Sequence, residues 1–499
     1  MFLFCNTHLY GYNIDMSKNS KILLSLIGLY AIIFSVISIW KYSNFLYGGL
    51  DLAIINNVFF NTAHGSWFWS SIQDHAYPGD HFTPILILLL PIYYLWQSPE
   101  TLLILQSIFL GLAAWPIYKI AEIKLGSKYS LWIAVLWLVC PLTHNINLFE
   151  FHFIAFLPFF LLMAFYFYIQ KSYNLLLVFS FLSLLIREDV SFILIVFGIL
   201  IIFNNLKDNK ARQYGIAISL TSIFYLLIAM RVINAFSPSN FSPFAFYYNW
   251  LTDTNIFEFI SHILSYLNFE MVVGFLLPLM FIPLLRPKWL LLALIPLLQI
   301  MLSISGGGAL VWQLHYGALF LPAIFIAFIY SFNKANALVY KKIQTNYLLI
   351  IALIVVNIYL WIDFGILKDS YEIKKAPDFS GISSEASVLS SFNYLANFSS
   401  RDRVYSLHYH FLSVGQFAQA EYKIEETPDY IIIDKTDFEY YDETLKTSAW
   451  AGEYYIDGYL RLEELLTSYG AIEVAGETIV FEKDYVSQLE YSLDFEKYK

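Results

Sequence analysis

Charge is what this sequence has least of: Asp, Glu, Lys and Arg together make up 14% of 499 residues, against 58% from the AVILMFWYC set. Soluble globular chains carry about 25% charged and about 45–50% apolar residues. So few charges cannot cover the surface of a chain this long in water. A soluble enzyme, a disordered tail protein and a nucleic-acid binder are excluded, and the membrane is the remaining solvent. Cysteine is scarce as well. Cys5 and Cys140 cannot build a disulfide framework, and Cys140, set in an apolar run, reads as packing. There is no Walker loop, no G-x-G-x-x-G and no G-x-S-x-G elbow; Gly306, Gly307 and Gly308 run into Ala309 and Leu310 without the P-loop Lys. No repeat of about 20–50 residues is evident, so the sequence gives no support to an inverted-repeat transporter.

The charges that are present divide the chain. Up to Asp363 there are 17 Lys+Arg and 14 Asp+Glu, a balance of +3; the remainder has 12 and 25, a balance of −13. This implies a cytoplasmic N-terminus over 1–21, a membrane domain over 22–363 and an acidic, water-soluble domain over 364–499. Twelve apolar runs fall near 22–40, 83–97, 101–118, 129–143, 153–170, 174–186, 190–203, 214–234, 270–285, 289–304, 316–332 and 346–363. Several are shorter than the roughly 17–25 residues of a spanning helix, so length alone does not choose among them.

Positive charge does, because Lys and Arg in short loops stay cytoplasmic. If all twelve runs cross, most Lys and Arg lie outside. If 83–97, with Pro84 and Pro91, stays on the outer face as an interfacial helix, eleven crossings place fourteen cations inside and only Lys41, Arg187 and Arg231 outside before Asp363. The expectation is therefore about 11 transmembrane helices plus an interfacial helix in a long first outer loop, 41–100. The N-terminus is expected to be cytoplasmic and the C-terminal domain extracytoplasmic, in the plasma (inner) membrane. Lys18 and Lys21 before Ile22–Trp40 read as an uncleaved signal anchor, with Met16 an alternative start to Met1.

With that topology the outer loops gather polar residues. The first holds Asp51, His64, Asp74, His75, Asp80 and His81; the second holds His144, Glu150 and His152; a third is Arg187–Glu188–Asp189; the last holds Gln313 and His315. Ionisable groups near bilayer depth are costly and point to function. Arg187 suits an anionic ligand, with an acid beside it holding the guanidinium; a solvated hairpin tip is the plainer alternative. Asp51 suits a base, or an N-cap of the helix opening at "DLAIINNVFF". His81, His152 and His315 are equally readable as interfacial hydrogen-bonding residues. The His/Asp/Glu mixture is also a donor set for a divalent metal, although no i, i+4 spacing marks a site. The 38 Tyr and 12 Trp read as interfacial belts and core.

Beyond residue 371 the pattern is α/β. "ASVLSS", "RVYSL" and "DYIIIDK" read as strands, "FNYLANFS" as a helix, "DGYLRLEELLTSYG" as a helix stopped by Gly470, and "AIEVAGETIVFEKD" as a terminal hairpin. "RDR" at 401–403 reads as solvated surface.

Two stretches together carry a resemblance. "LDLAIINNVFFNTAHG", "DHFTPILILLLPIYYL" and "LLILQSIFLGLAAWPIYKIAEIKLG" form one; "PLTHNINLFEFHFIAFLPFFLLMAFY" with "LLIREDVS" forms the other. In this order they resemble the predicted membrane proteins grouped as domain of unknown function 2079. "SVLSSFNYLANFSSRDRVYSL" and "PDYIIID" are similar to that family's outer domain. The arrangement is also similar to the C-type glycosyltransferase superfamily, polytopic cell-envelope enzymes with an acid in a long first outer loop. That resemblance implies a transferase moving a sugar from a polyprenyl-phosphate donor, held among membrane lipid, to an acceptor whose identity the sequence leaves open. It implies Asp51 as base and Arg187, His81 and His152 as donor-phosphate residues, with Asp80, Glu150, Glu188, Asp189 and His315 supporting. Asp51 lacks the usual acidic neighbour, which leaves any metal use open. A non-enzymatic lipid or polysaccharide transporter, or a membrane anchor presenting the outer domain, are the alternatives.

Overall fold

The computed structural model describes residues 17–238, 243–343, 347–364, 375–415, 420–424, 426–447, 451–491 and 493. The two candidate starts, Met1 and Met16, and the 365–374 part of the expected domain boundary lie outside them.

Helices dominate the first three quarters of the chain. α1 (Lys18–Ser43) is capped by Ser17, whose hydroxyl accepts from the Ser20 amide. After it come α2 (Leu50–Ala63), the short strands β1 (Trp69–Ser70) and β2 (His75–Ala76), and α3 (Ile85–Tyr93). Then follow α4 (Pro99–Leu112), α5 (Ala114–Leu125), α6 (Ser127–Leu138) and α7 (Pro141–Leu148). α8 (Leu157–Ile169), α9 (Tyr173–Leu184), α10 (Val190–Asn204) and α11 (Asn209–Phe236) complete this series. Pro sits in the first turn of α4, α7 and α8, where its missing N–H is not needed.

Among the described residues six helices are long and apolar enough to cross a membrane: Lys18–Ser43, Pro99–Leu125, Ser127–Leu148, Asn209–Phe236, Ile256–Leu279 and Gly317–Val339. Five shorter apolar helices stand beside them, at Phe153–Ile169, Tyr173–Leu184, Val190–Asn204, Pro287–Met301 and Leu348–Trp361. Two details differ from the sequence expectation. The run 270–285 is not one continuous span, because Met280 and Phe281 take left-handed backbone and the chain continues as a 3-10 turn at Ile282–Leu285. The stretch 235–269, left between the apolar runs 214–234 and 270–285, contains a helix, Ile256–Ile263, started by a capping box between Asn255 and Glu258.

The C-terminal sheet has the order β4-β3-β5-β7-β6, built from β3 (Val388–Ser390), β4 (Val404–Ser406), β5 (Tyr430–Asp434), β6 (Tyr469–Ala475) and β7 (Thr478–Lys483). β3 pairs in parallel with β4 and β5; β7 is antiparallel to β5 and β6. Strand alternation sorts its side chains into two cores. Val388, Val404, Ile432 and Val480 join the membrane-helix core. Leu389, Tyr405, Ile431, Ile433, Ile479 and Phe481 pack with residues of the helices Leu407–Leu412, Thr436–Thr447 and Ala451–Leu466. Thus one face of the sheet is laid on the membrane body.

The contact between sheet and body runs through α2. Asn56 Nδ2 donates to the hydroxyls of Ser399 and Ser400, and Asn57 Nδ2 to the carbonyls of Ser399 and Arg401. Arg401 is not solvated surface as its "RDR" context suggests. It is 9% exposed and donates to the carbonyls of Phe398, Ser383 and Ala386. Gly470 is not a helix stop either. That helix ends at Leu466, and Gly470 lies inside β6, where a Cβ would collide with the Tyr485 carbonyl.

Candidate functional site

The site is built from the ends of helices. α2 starts at Gly49, which takes φ 76° and offers no side chain to satisfy the first amides. Glu150 does this from a distant loop: Oε1 accepts from the Gly49 amide at 2.9 Å and Oε2 from the Leu52 amide at 2.8 Å. Asp51 is therefore not the N-cap that the sequence allowed. It sits in the first turn of α2, where its carboxylate does no capping, and its side chain is 42% exposed.

Asp51 Oδ2 lies 3.2 Å from His152 Nε2. The His152 ring stacks on His315, with centroids 3.6 Å apart and planes 13° apart. Phe149 flanks both rings, at 5.4 Å and 5.7 Å. The His152 amide donates to Gln106 Oε1 at 2.9 Å, while Gln106 Nε2 donates to the carbonyls of Asn147 and Glu150. A fully buried Gln in the apolar helix α4 thus fixes the loop that carries both Glu150 and His152. Lys41, at the end of α1, is 5% exposed and ties the same region by donating to the Leu148 carbonyl at 2.7 Å.

The Arg187–Glu188–Asp189 turn joins α9 to α10. Asp189 grips the Nε–Nη2 edge of Arg187, with Nε to Oδ1 at 2.9 Å. Glu188 turns to the loop before α3, where Oε1 pairs with His81 Nδ1 at 2.8 Å and Oε2 accepts from the Phe82 amide. Arg187 and Glu188 are nearly buried, at 13% and 14% side-chain exposure, so a solvated hairpin tip does not describe them.

Charges set the protonation of the group. Burial works to raise the Asp51 pKa, but the His152 hydrogen bond and charge, with His81 beyond, outweigh it and hold the carboxyl below its ordinary value. Glu150, only 5% exposed, goes the other way: burial first, then the Asp51 charge, lift it to about 8. The more exposed carboxyl, paired with a histidine, is favoured as the carboxylate, and its buried neighbour is pushed toward the protonated form. Burial, reinforced by His152, Arg187 and His81, pushes His315 well below its ordinary value. His81 is raised, Glu188 overcoming the effect of burial.

Asp51, His152, His315 and Glu150 are thus brought together, and Arg187, Glu188, Asp189 and His81 form a second group whose charges act on the first. Asp80 stands at the margin, bonded to His75 at 3.1 Å and to Gln73 at 2.6 Å. His144 and His64 are elsewhere in function. Each bonds a main-chain carbonyl, that of Leu138 and that of Phe60. Among the described residues no group of three or more His, Cys, Asp and Glu is arranged to hold a metal ion. Sequence reasoning missed Gln106, Asn56, Asn57 and Tyr409. The first three carried a signal, polar amides inside apolar helical runs. Tyr409 did not: it lies in the C-terminal region, 4% exposed, close enough for the Asp51 charge to act on its phenol.

The family model described as Predicted membrane protein (DUF2079) matches residues 41–461. No curated protein matches the chain. Among solved structures it is similar to ArnT from Cupriavidus metallidurans. In the apo state the TM-score is 0.54 at 9% identity, covering 93% of this chain and 98% of that one. Bound to undecaprenyl phosphate the TM-score is 0.51 at 10% identity, with the same coverage. The oligosaccharyltransferase of Archaeoglobus fulgidus, solved with zinc and sulfate, matches with TM-score 0.43 at 13% identity, covering 93% of this chain and 73% of that one. The chain has an ArnT-like membrane fold and is an integral membrane protein.

Proposed function

We propose that this chain, which belongs to the DUF2079 family of predicted membrane proteins, transfers a sugar from a polyprenyl-phosphate donor to an acceptor at the membrane end that carries Asp51. One observation carries the reading: Asp51, His152, His315, His81 and Arg187, from loops far apart in sequence, meet at one end of the helix bundle. The neighbour that shares the fold binds a polyprenyl phosphate, undecaprenyl phosphate, which supports a lipid of that class as partner here.

The chemistry follows from the residues. The acceptor hydroxyl gives its proton to ionised Asp51 while its oxygen attacks the anomeric carbon of the sugar. The bond from that carbon to the phosphate oxygen breaks, and the electron pair leaves with the lipid phosphate. Arg187 meets the developing negative charge. Asp189 occupies its Nε–Nη2 edge, which leaves Nη1 to donate to phosphate oxygen. His81 adds a second donor, held by Glu188. His152 positions Asp51, and the His315 ring, kept neutral, backs His152 without adding a competing charge. In this scheme Asp51 faces the extracytoplasmic side and the acidic C-terminal region, 364–499, closes over it.

The test is turnover. Purified full-length protein, supplied with radiolabelled polyprenyl-phosphate sugars and candidate hydroxyl acceptors, is expected to release polyprenyl phosphate and label an acceptor. Binding of the donor with no release over long incubation would overturn the transferase reading and leave a carrier of lipid or polysaccharide.

A further inference from the structure

A second polar site lies at the other end of the same helices. α8 begins five residues after His152, α10 begins directly after Asp189, and the helix Gly317–Ile343 begins two residues after His315. Each then rises for more than ten residues, about 20 Å at 1.5 Å per residue, before it reaches Tyr168, Asn204 or Tyr330. Those three residues, with Arg286, Lys288 and Trp289, line a cavity of about 350 Å³.

Its lining chemistry is one-sided. Two cations face the cavity and no carboxylate lines it. Lys288 Nζ contacts Asn204 Oδ1, and the Asn204 amide nitrogen is buried on the other side of that contact. A third cation touches a lining residue, Lys124 Nζ over the Tyr330 ring at 5.0 Å. Trp289 is buried, and its ring packs edge-on to Phe165 at 4.7 Å, so the floor is rigid and apolar. A guanidinium and an ammonium beside aromatic rings want a multiply accepting anion attached to something apolar. Basic pockets between transmembrane helices match the headgroups of anionic lipids.

We propose that this cavity binds the phosphate of an anionic headgroup, at the end of the bundle opposite Asp51. Arg286 supplies a planar fork to the phosphate oxygens and Lys288 a point charge, held at the cavity by its contact with Asn204 Oδ1. The site is separate from the Asp51 cluster and does not depend on any reaction there. Its occupant would tie together α8, α10, the segment Pro287–Ala293 and the helix Gly317–Ile343, four elements that meet at the cavity.

The test uses the full chain in detergent, with lipid retention read by native mass spectrometry. Phosphatidylglycerol is expected to remain bound and phosphatidylcholine to be lost. The double variant Arg286→Gln/Lys288→Gln is expected to lower phosphatidylglycerol retention by about tenfold or more, since each cation at an anionic headgroup contributes about 1 kcal/mol. Lys207→Gln, an exposed cation outside the lining, controls for general surface charge. Millimolar inorganic phosphate is the second arm. If phosphatidylglycerol stays bound in phosphate and phosphate leaves the wild-type midpoint unchanged, the site reads a lipid headgroup; if phosphate displaces the lipid and raises the thermal midpoint of wild type and not of the double variant, the source is a soluble phosphate. Equal retention by wild type and the double variant, with no phosphate effect, overturns the proposal. So does an equal loss with Lys207→Gln. Both cations are exposed, and an unchanged midpoint without added ligand verifies that the double variant folds.

Discussion

Replacing Gly49 by Ala should damage the protein more than the same change at Gly65, in the turn after α2. Gly49 takes φ 76°, and an L side chain in left-handed backbone costs about 1–2 kcal/mol. The added Cβ would also collide with the Phe392 carbonyl oxygen, well inside the roughly 3.5–4.0 Å of an ordinary contact. Backbone on both sides leaves no flexible side chain to swing away, so overpacking adds about 1–3 kcal/mol. The sum is about 2–5 kcal/mol. The displaced elements are the start of α2 and the start of the helix Phe392–Phe398, so the C-terminal region and Asp51 both shift. Gly65→Ala separates the two terms, because Gly65 has φ 99° and nothing within 4 Å of a built Cβ. Thermal unfolding of the purified protein, followed by tryptophan fluorescence, should show a small loss for Gly65→Ala and a much larger one for Gly49→Ala. Gly49→Asn relieves the backbone cost and keeps the collision, so it should remain well below wild type. A Gly49→Ala midpoint no lower than that of Gly65→Ala would refute the proposed contact between α2 and the sheet region.

Other perturbations address other joints. Asn57→Ala removes two donors to the carbonyls of Ser399 and Arg401 and the acceptor of the Ser71 amide; at about 1–3 kcal/mol per buried group left unpaired, it should lower the thermal midpoint and expose the C-terminal region to limited proteolysis. Glu150 is raised from 4.5 to about 8 in the folded state, so the native protein holds the proton that the unfolded chain releases. Its contribution to stability is full below the unfolded value and is lost as pH rises toward about 8. Wild type should therefore lose stability over that window relative to Glu150→Gln, and parallel pH profiles would show that Glu150 does not titrate there. Arg187→Lys keeps the charge but loses the fork held by Asp189; donor binding should weaken by about tenfold, and an unchanged Kd would remove Arg187 from the phosphate site.

Much of this architecture was legible in the sequence because it follows from simple periodicities. Continuous apolar runs marked most of the helices, and the buried "YIIID" strand and terminal hairpin were readable from their patterns. The cluster of Asp51, His152, His315 and Arg187 was legible as loop geography, since the loops that carry them were expected on one side. What sequence did not yield were partnerships set by tertiary packing. Asp51 looked like a cap because the residue that satisfies the α2 amides, Glu150, is about a hundred residues away. Arg401 looked like surface because its three carbonyl acceptors are gathered only when the sheet folds. Gly470 looked like a helix stop, whereas its conformation answers a close backbone approach from Tyr485. The apolar run 270–285 carried no mark of the left-handed pair Met280–Phe281 that breaks it.

The central claim is that ionised Asp51, positioned by His152, takes the proton of the acceptor. Asp51→Asn keeps the size and the contact to His152 but cannot accept that proton. In the labelled-donor assay the account predicts a fall in turnover of about 10²–10⁴-fold, the usual range for a lost general base, with donor binding preserved. Turnover at the wild-type rate by Asp51→Asn would contradict it.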